Sequence, residues 1–438
     1  MGAVQSIFKI PELKKRIFFT VGLLFVFRVG AHIPTPGIDG AALSQFFSQA
    51  QGTLLGIMDL FSGGSFRRLT VFALGIMPYI SASIIFQLLT VVIPQLEKLS
   101  KEGQAGRAKI NQYTRLATVI LSVIQSFGIS FWLENARNFN GIIVVPDPGW
   151  HFRMVTVITL TCGTIFIMWL GEQISQRGIG NGISLIITAG IISRFPPALH
   201  NLGILFAAGE IRFFKLLFLA AMFVGIVMAI IILSQGQRNI PVQYARRIVG
   251  RKIYGGQSTY IPLRVNHPGV IPIIFASSIM MMPATLAQFA RVGFMRKFAE
   301  LLNPGGWFYL LVNAALIIFF CFFYTAITFN STDVSDNMKK YGGFVPGIRP
   351  GRPTSEFFDH IMARITLIGA IYLVVVAEFP TLIYGGLKIP YIIASFFGGT
   401  GLLIVVGVSL DTIRQIESHL MMRHYEGFIK KGKIKGRY

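Results

Sequence analysis

The sequence predicts an all-α polytopic membrane protein, and three observations carry that expectation. Hydrophobic residues make up 53% of the 438 and charged residues only 13%, about half the charged share of a soluble domain. Apolar runs of about 20 residues recur along the whole chain, each long enough to cross a hydrocarbon core. Lys and Arg number 40 against 18 acids, and the basic residues gather in alternate connecting segments.

Ten spans are expected, at 17–35, 70–92, 114–133, 154–172, 181–199, 213–233, 269–289, 307–328, 365–385 and 392–410. Lys9, Lys14, Lys15 and Arg16 precede the first and favour a cytoplasmic N-terminus; residues 1–12 lack the apolar stretch of a cleavable signal. With that orientation the C-terminus is cytoplasmic too, and the inner segments hold 28 of the Lys and Arg against 11 in the outer ones.

An unusually long outer segment follows the first span. Within it TLLGIMDLF, residues 53–61, is apolar but too short to span, and Gly63-Gly64 stops it. Such a piece is either re-entrant, buried in protein or lining a cavity, or a helix on the lipid surface. The second span carries Gly75, Pro78, Ser81, Ser83 and Gln87. Unpaired polar groups in hydrocarbon cost roughly 2–7 kcal/mol, so this helix should face protein or a wet cavity. The seventh is similar in character, with Pro272, Ser277, Ser278 and Pro283; Met280 to Met282 read as apolar filler.

Ten spans divide into five and five around 203–212, giving an N-terminal half, 1–202, and a C-terminal half, 203–438. An odd number per half implies that any internal repeat is inverted in the membrane. The C-terminal half carries two long basic inner loops, 234–268 and 330–364, and a basic tail. Both loops are rich in Gly/Pro turn chemistry, and RKIYGGQSTYIPLRV reads as a hairpin. Loops of this length in a compact protein are usually functional.

Chemistry is sparse. Arg28, Glu172, Glu378 and Asp411 lie near span ends, whereas proton-coupled carriers place ionisable groups near the midplane. No His pair has metal-ligand spacing, and no phosphate-binding loop of the GxxxxGK[ST] type occurs. Cys162 and Cys321 fall inside apolar spans and read as inert thiols rather than a disulfide. No cofactor is implied. Ile76 and Ile80 share a helix face, as do Ile183 and Ile187; by spacing alone these pairs are ordinary packing. The net charge of +22 fixes topology and also suits docking to an acidic partner such as RNA or anionic lipid.

Several segments match a known family. FALGIMPYISASIIFQLL, EQISQRGIGNGISLII, HPGVIPIIFASSI and FVPGIRPG resemble the signature segments of the SecY family, the channel subunit of the bacterial Sec protein translocase. The likeness runs from VFRVGAHIPTPGID to the Leu410-Asp411 end of the last span. It implies two halves closing around a central hourglass pore in the plasma membrane, with SecE and SecG as companion subunits. It places a pore ring at Ile76, Ile80, Ile183, Ile187, Ile274 and Ile404. A plug at about 53–66 would include Leu54, Leu55, Ile57, Met58, Leu60 and Phe61. Spans two and three would face seven and eight across a lateral gate, with Ser83, Gln87, Gln125, Ser277 and Ser278 as its polar contacts. Arg251, Lys252 and Arg349 would dock the SecA motor or the ribosome; Lys252 stands where a second arginine is expected, and the two differ at bidentate sites. Cargo would be signal sequences and unfolded preproteins, with membrane segments released into lipid. The residues alone also leave open a secondary transporter with an inverted repeat, or a membrane enzyme or insertase without a pore.

Overall fold

Prolines and glycines set the boundaries of this helical protein. The computed structural model describes residues 10–40, 42, 43, 45, 59, 62–135, 144–209, 212–244, 247–249, 252–254, 258–289, 306–387 and 399–431. Pro11 opens α1 (Pro11–Gly30), where its missing N–H costs nothing. After α1 the chain pairs Pro34 with Thr70 in an isolated bridge, which closes the long outer segment at its base. The expected second span is helical only from residue 77. Residues 71–76 form turns in which Gly75 takes a φ of 57°, a backbone state that a side chain would oppose. α2 (Met77–Val92) then bends by 100° into α3 (Pro94–Lys101), because Pro94 cannot continue the ladder of hydrogen bonds.

α4 (Gln104–Asn135) packs against α2 and α5 (Trp150–Arg177). It buries Thr114, Thr118, Ser122, Ser126 and Ser130, a stripe at four-residue spacing that lets neighbouring helices approach closely. The fifth expected span is split into α6 (Gly182–Ile192) and α7 (Phe195–Ala207), since Pro196 and Pro197 end one ladder and begin the next. α8 (Phe213–Gln235) buries only Leu219 and Ile230, as a lipid-facing helix should.

The first long basic loop forms β1 (Gln237–Tyr244), β2 (Arg247–Val249), β3 (Lys252–Tyr254) and β4 (Ser258–Arg264). β1 runs antiparallel to β4, with Ile240 opposite Ile261, and β2 pairs with β3. α9 (Ile271–Phe289), α10 (Trp307–Thr328) and α11 (Ser331–Lys340) follow, then β5 (Gly343–Phe344), α12 (Arg352–Leu387) and α13 (Gly399–Lys431). β5 joins the far edge of β1, where Phe344 faces Gln243. The two loops therefore fold as one platform. Its own core is Ile240, Val242, Leu263, Met338, Val345, Phe358, Ile361, Met362 and Ile365.

By length and composition, seven helical stretches among the described residues can cross a membrane, or eight if α2 and α3 are one bent span. The two remaining expected spans are α1 and α9. α1 carries Glu12, Lys14, Lys15 and Arg16 in its first turns. α9 is a 19-residue helix, close to the length that a crossing needs. The architecture is a mostly helical, polytopic membrane fold.

Candidate functional site

A large apolar cluster lies between the helices, and the structure brings the six isoleucines to it from four of them. Ile76 caps α2 and Ile80 lies one turn in; Ile274 is on α9 and Ile404 on α13. Ile76, Ile80, Ile187, Ile274 and Ile404 are at most 5% exposed, and half-buried Ile183 packs against the same cluster. α9 packs on both α2 and α13, and α13 packs on α6, which carries Ile183 and Ile187. The lining is aliphatic, so it offers no group that binds one solute.

Small residues and caps place these side chains. The Asn181 side chain accepts hydrogen bonds from the N–H groups of Ile183 (3.1 Å) and Ser184 (3.2 Å), fixing the first turn of α6. A Cβ at Gly182 would lie 2.0 Å from the Gly171 carbonyl oxygen, so α6 sits directly on α5. The preceding loop is tied at both ends: Ile179 N–H donates to Thr20 Oγ1 at 3.1 Å and Gly180 N–H to Gln415 Oε1 at 2.9 Å. Gln415 thus joins the last helix to the loop before α6. Sequence reading gave no sign of this contact across 235 residues.

α9 lies against α2 and α4, the helices expected opposite it at a gate. Gln87 Nε2 donates to Ser83 Oγ at 3.3 Å within α2, and buried Ser278 Oγ donates to the Ile274 carbonyl at 2.8 Å within α9. Ser277 is buried on α9, and Gln125 is half-buried on α4. Parting α2 from α9 would break neither of these two hydrogen bonds, because each is made inside one helix.

The platform treats polar groups differently. Arg349 is exposed on a turn whose geometry is pinned: its carbonyl accepts from Thr354 Oγ1 at 2.8 Å, and Gly351 O accepts from Ser335 Oγ at 2.7 Å. Arg238, Arg264, Lys339, Lys340 and Arg352 of the same two loops are also exposed. The backbone of Lys252 lies in β3, paired with Val249. At the platform base, burial and the nearby Arg264 guanidinium hold His267 below its usual range, so its ring is neutral against the edge of Phe329.

Leu54, Leu55, Ile57, Met58, Leu60, Phe61 and Arg251 lie outside the described residues. Asp59 and the turn that follows it are described. Asp59 is 3% exposed and meets the guanidinium of Arg194, a pairing 135 residues apart that sequence reading also missed.

Comparison with known proteins adds the following. The family model named SecY matches residues 70–413. Protein translocase subunit SecY of Escherichia coli K12 is 47% identical over 429 residues, covering 97% of this chain and 96% of that protein. Among solved structures, canine Sec61 in a ribosome–channel complex from the endoplasmic reticulum superposes with a TM-score of 0.61 at 16% identity, over 95% of this chain and 97% of that one. A SecY whose plug domain stabilises the closed state of its translocation channel and maintains a membrane seal gives 0.60 at 18% identity, with the same coverage. At those identities the structural likeness is one of fold.

Proposed function

The chain belongs to the SecY family of protein translocase subunits, and on that premise we propose how it conducts a polypeptide. It is a multi-pass membrane channel subunit of a translocase, not an enzyme. The ten spans form two inverted halves, 1–202 and 203–438, around an hourglass pore in the bacterial plasma membrane. Both termini and the platform lie on the cytoplasmic side, in line with the distribution of Lys and Arg.

The observation that carries the reading is the convergence of six aliphatic side chains, Ile76, Ile80, Ile183, Ile187, Ile274 and Ile404, on one apolar cluster from α2, α6, α9 and α13. A pore for polypeptide cannot read sequence, so its waist needs low affinity for everything. Aliphatic side chains supply that, and an apolar constriction resists wetting and so seals against ions. Flexible isoleucines can close around a passing chain of any shape, whereas a charged ring would hold or repel particular segments.

The plug at about 53–66 supports the seal from the outer side. The gate opens between α2 and α4 on one side and α9 and α10 on the other, releasing signal sequences and membrane segments into lipid. The bonds of Gln87 with Ser83 and of Ser278 with Ile274 stay within one helix, which keeps that separation inexpensive. SecE and SecG complete the complex. Arg349, Arg251 and Lys252 dock either the SecA ATPase or ribosomal RNA, whose phosphates a basic surface attracts.

The test is electrical. In bilayers holding the reconstituted translocase, Ile80→Asn or Ile274→Asn should raise resting ion conductance about tenfold by letting water enter the waist. Wild-type conductance in both variants would refute the ring.

A further inference from the structure

Asp59 is the most deeply buried charged residue among the described ones, at 3% exposed. A buried carboxylate is costly unless it is paired and its remaining lone pairs are satisfied. Both conditions are met locally. The carboxylate meets Arg194 and accepts the Arg67 N–H at 2.8 Å. The Asp59 carbonyl accepts from Ser62 Oγ at 3.1 Å and from the Gly64 N–H at 3.0 Å. Ser62 Oγ in turn accepts the Phe66 N–H at 3.0 Å. Asp59 therefore organises the turn that follows it.

That turn is fastened on two sides. Its polar side meets α1 and the break between α6 and α7: the Gly63 carbonyl accepts from Arg28 Nη1 at 3.3 Å and Ser193 Oγ at 3.4 Å. A Cβ at Gly63 would lie 2.7 Å from the Gly190 Cα, so the two backbones touch. On its other side Phe66 and Leu69, both 0% exposed, join the same apolar cluster as Ile76, Ile80, Ile187, Ile274 and Ile404. The surroundings are strongly basic. Arg67 stands close enough to Arg194 to repel it, and Arg68 does the same to Arg28. Loss of the Asp59 charge would leave Arg194 beside Arg67 without the carboxylate that now offsets their repulsion.

We propose that the Asp59–Arg194 pair is the clasp holding this turn against the apolar cluster while the channel is closed, so that both are positioning residues for the seal. The proposal rests on the reading of that cluster as the pore waist. Phe66 and Leu69 are tied to Asp59 through the turn itself: the Arg67 N–H next to Phe66 rests on the Asp59 carboxylate, and the Leu69 N–H donates to the Phe66 carbonyl. Opening the channel outward therefore requires the pair to part, and its strength sets the fraction of channels open at rest. The clasp sits where Pro196 and Pro197 interrupt the helix, which puts Arg194 at the end of one helical segment and the start of another.

Resting ion conductance of the complete reconstituted translocase tests this. Asp59→Asn and Arg194→Gln should each raise it about tenfold, and the double variant should leak no more than about twice as much as the worse single one, because both remove one interaction. Arg194→Lys keeps the charge but loses the planar fork, and should fall between wild type and Arg194→Gln. Two residues acting independently of each other would instead make the two single effects multiply. Multiplying effects, or wild-type conductance in the single variants while Ile80→Asn leaks, would overturn the clasp and leave the ring standing. Silence of Ile80→Asn as well would remove both. Should Asp59→Asn not assemble, wild-type conductance in both Arg194→Gln and Arg194→Lys overturns the clasp by itself.

Discussion

The apolar cluster around Ile80 and the platform around Phe358 both bury large hydrophobic side chains, yet they handle polar groups in opposite ways. At the contact of α2 with α9, polar side chains bond within their own helices, as Ser278 does to Ile274 and Gln87 to Ser83. In the platform they bond between segments: Ser331 to Ser355 at 3.0 Å, Ser335 to Gly351, and the backbone of β1 to both β4 and β5. The first arrangement lets neighbouring elements separate without orphaning these groups. The second penalises any such movement. A waist that must admit every chain needs the former, and a surface that must present Arg349 at one place needs the latter.

The sharpest way to test that contrast is to damage the platform core. Phe358 is fully buried, and Phe358→Ala should destabilise the platform by about 3–5 kcal/mol. Limited proteolysis should then cut within 234–268 and 330–364, while resting conductance stays at the wild-type level. Leaky channels in this variant would mean that the two regions are mechanically one.

A smaller effect should come from the platform surface. Arg349→Glu leaves the hydrogen bond to the Arg349 carbonyl in place, since that bond uses backbone. Protease resistance should therefore be unchanged, while motor- or ribosome-driven translocation falls about tenfold, equivalent to about 1.4 kcal/mol of docking. Normal rates would remove Arg349 from the docking surface.

The two regions also differed in how far they could be read from sequence. Hydropathy located the apolar spans because burial in lipid demands a continuous run. It overran the start of α2, since residues 70–76 are as apolar as a helix and only the left-handed Gly75 marks them as turns. The strands of the first loop were visible in their β-branched and aromatic pattern, but their pairing was not: RKIYGGQSTYIPLRV reads as one hairpin, whereas β3 pairs with β2 and β4 with β1. The union of the two loops was not visible either, because the pairing of Gln243 with Phe344 depends on register across a hundred residues. The six isoleucines could not be distinguished from packing by spacing alone; the resemblance singled them out, and the fold gathers them in one cluster. Arg194 was counted only as an outer charge, and nothing local pointed to Asp59.

The smallest expected effect concerns the cap that sets the first turn of α6. The Asn181 side chain holds two N–H groups of α6, including that of Ile183 itself. Asn181→Ala should cost that first turn about 1 kcal/mol. Ile183 is the least buried of the six isoleucines, so a frayed turn would move it first. Resting conductance should rise about two- to fivefold, the range that 1 kcal/mol allows. Asn181→Asp, which keeps the acceptor oxygen, should stay near wild type. If Asn181→Ala conducts like wild type although α6 is measurably less stable, the waist does not depend on Ile183. The seal would then rest on the five buried isoleucines alone.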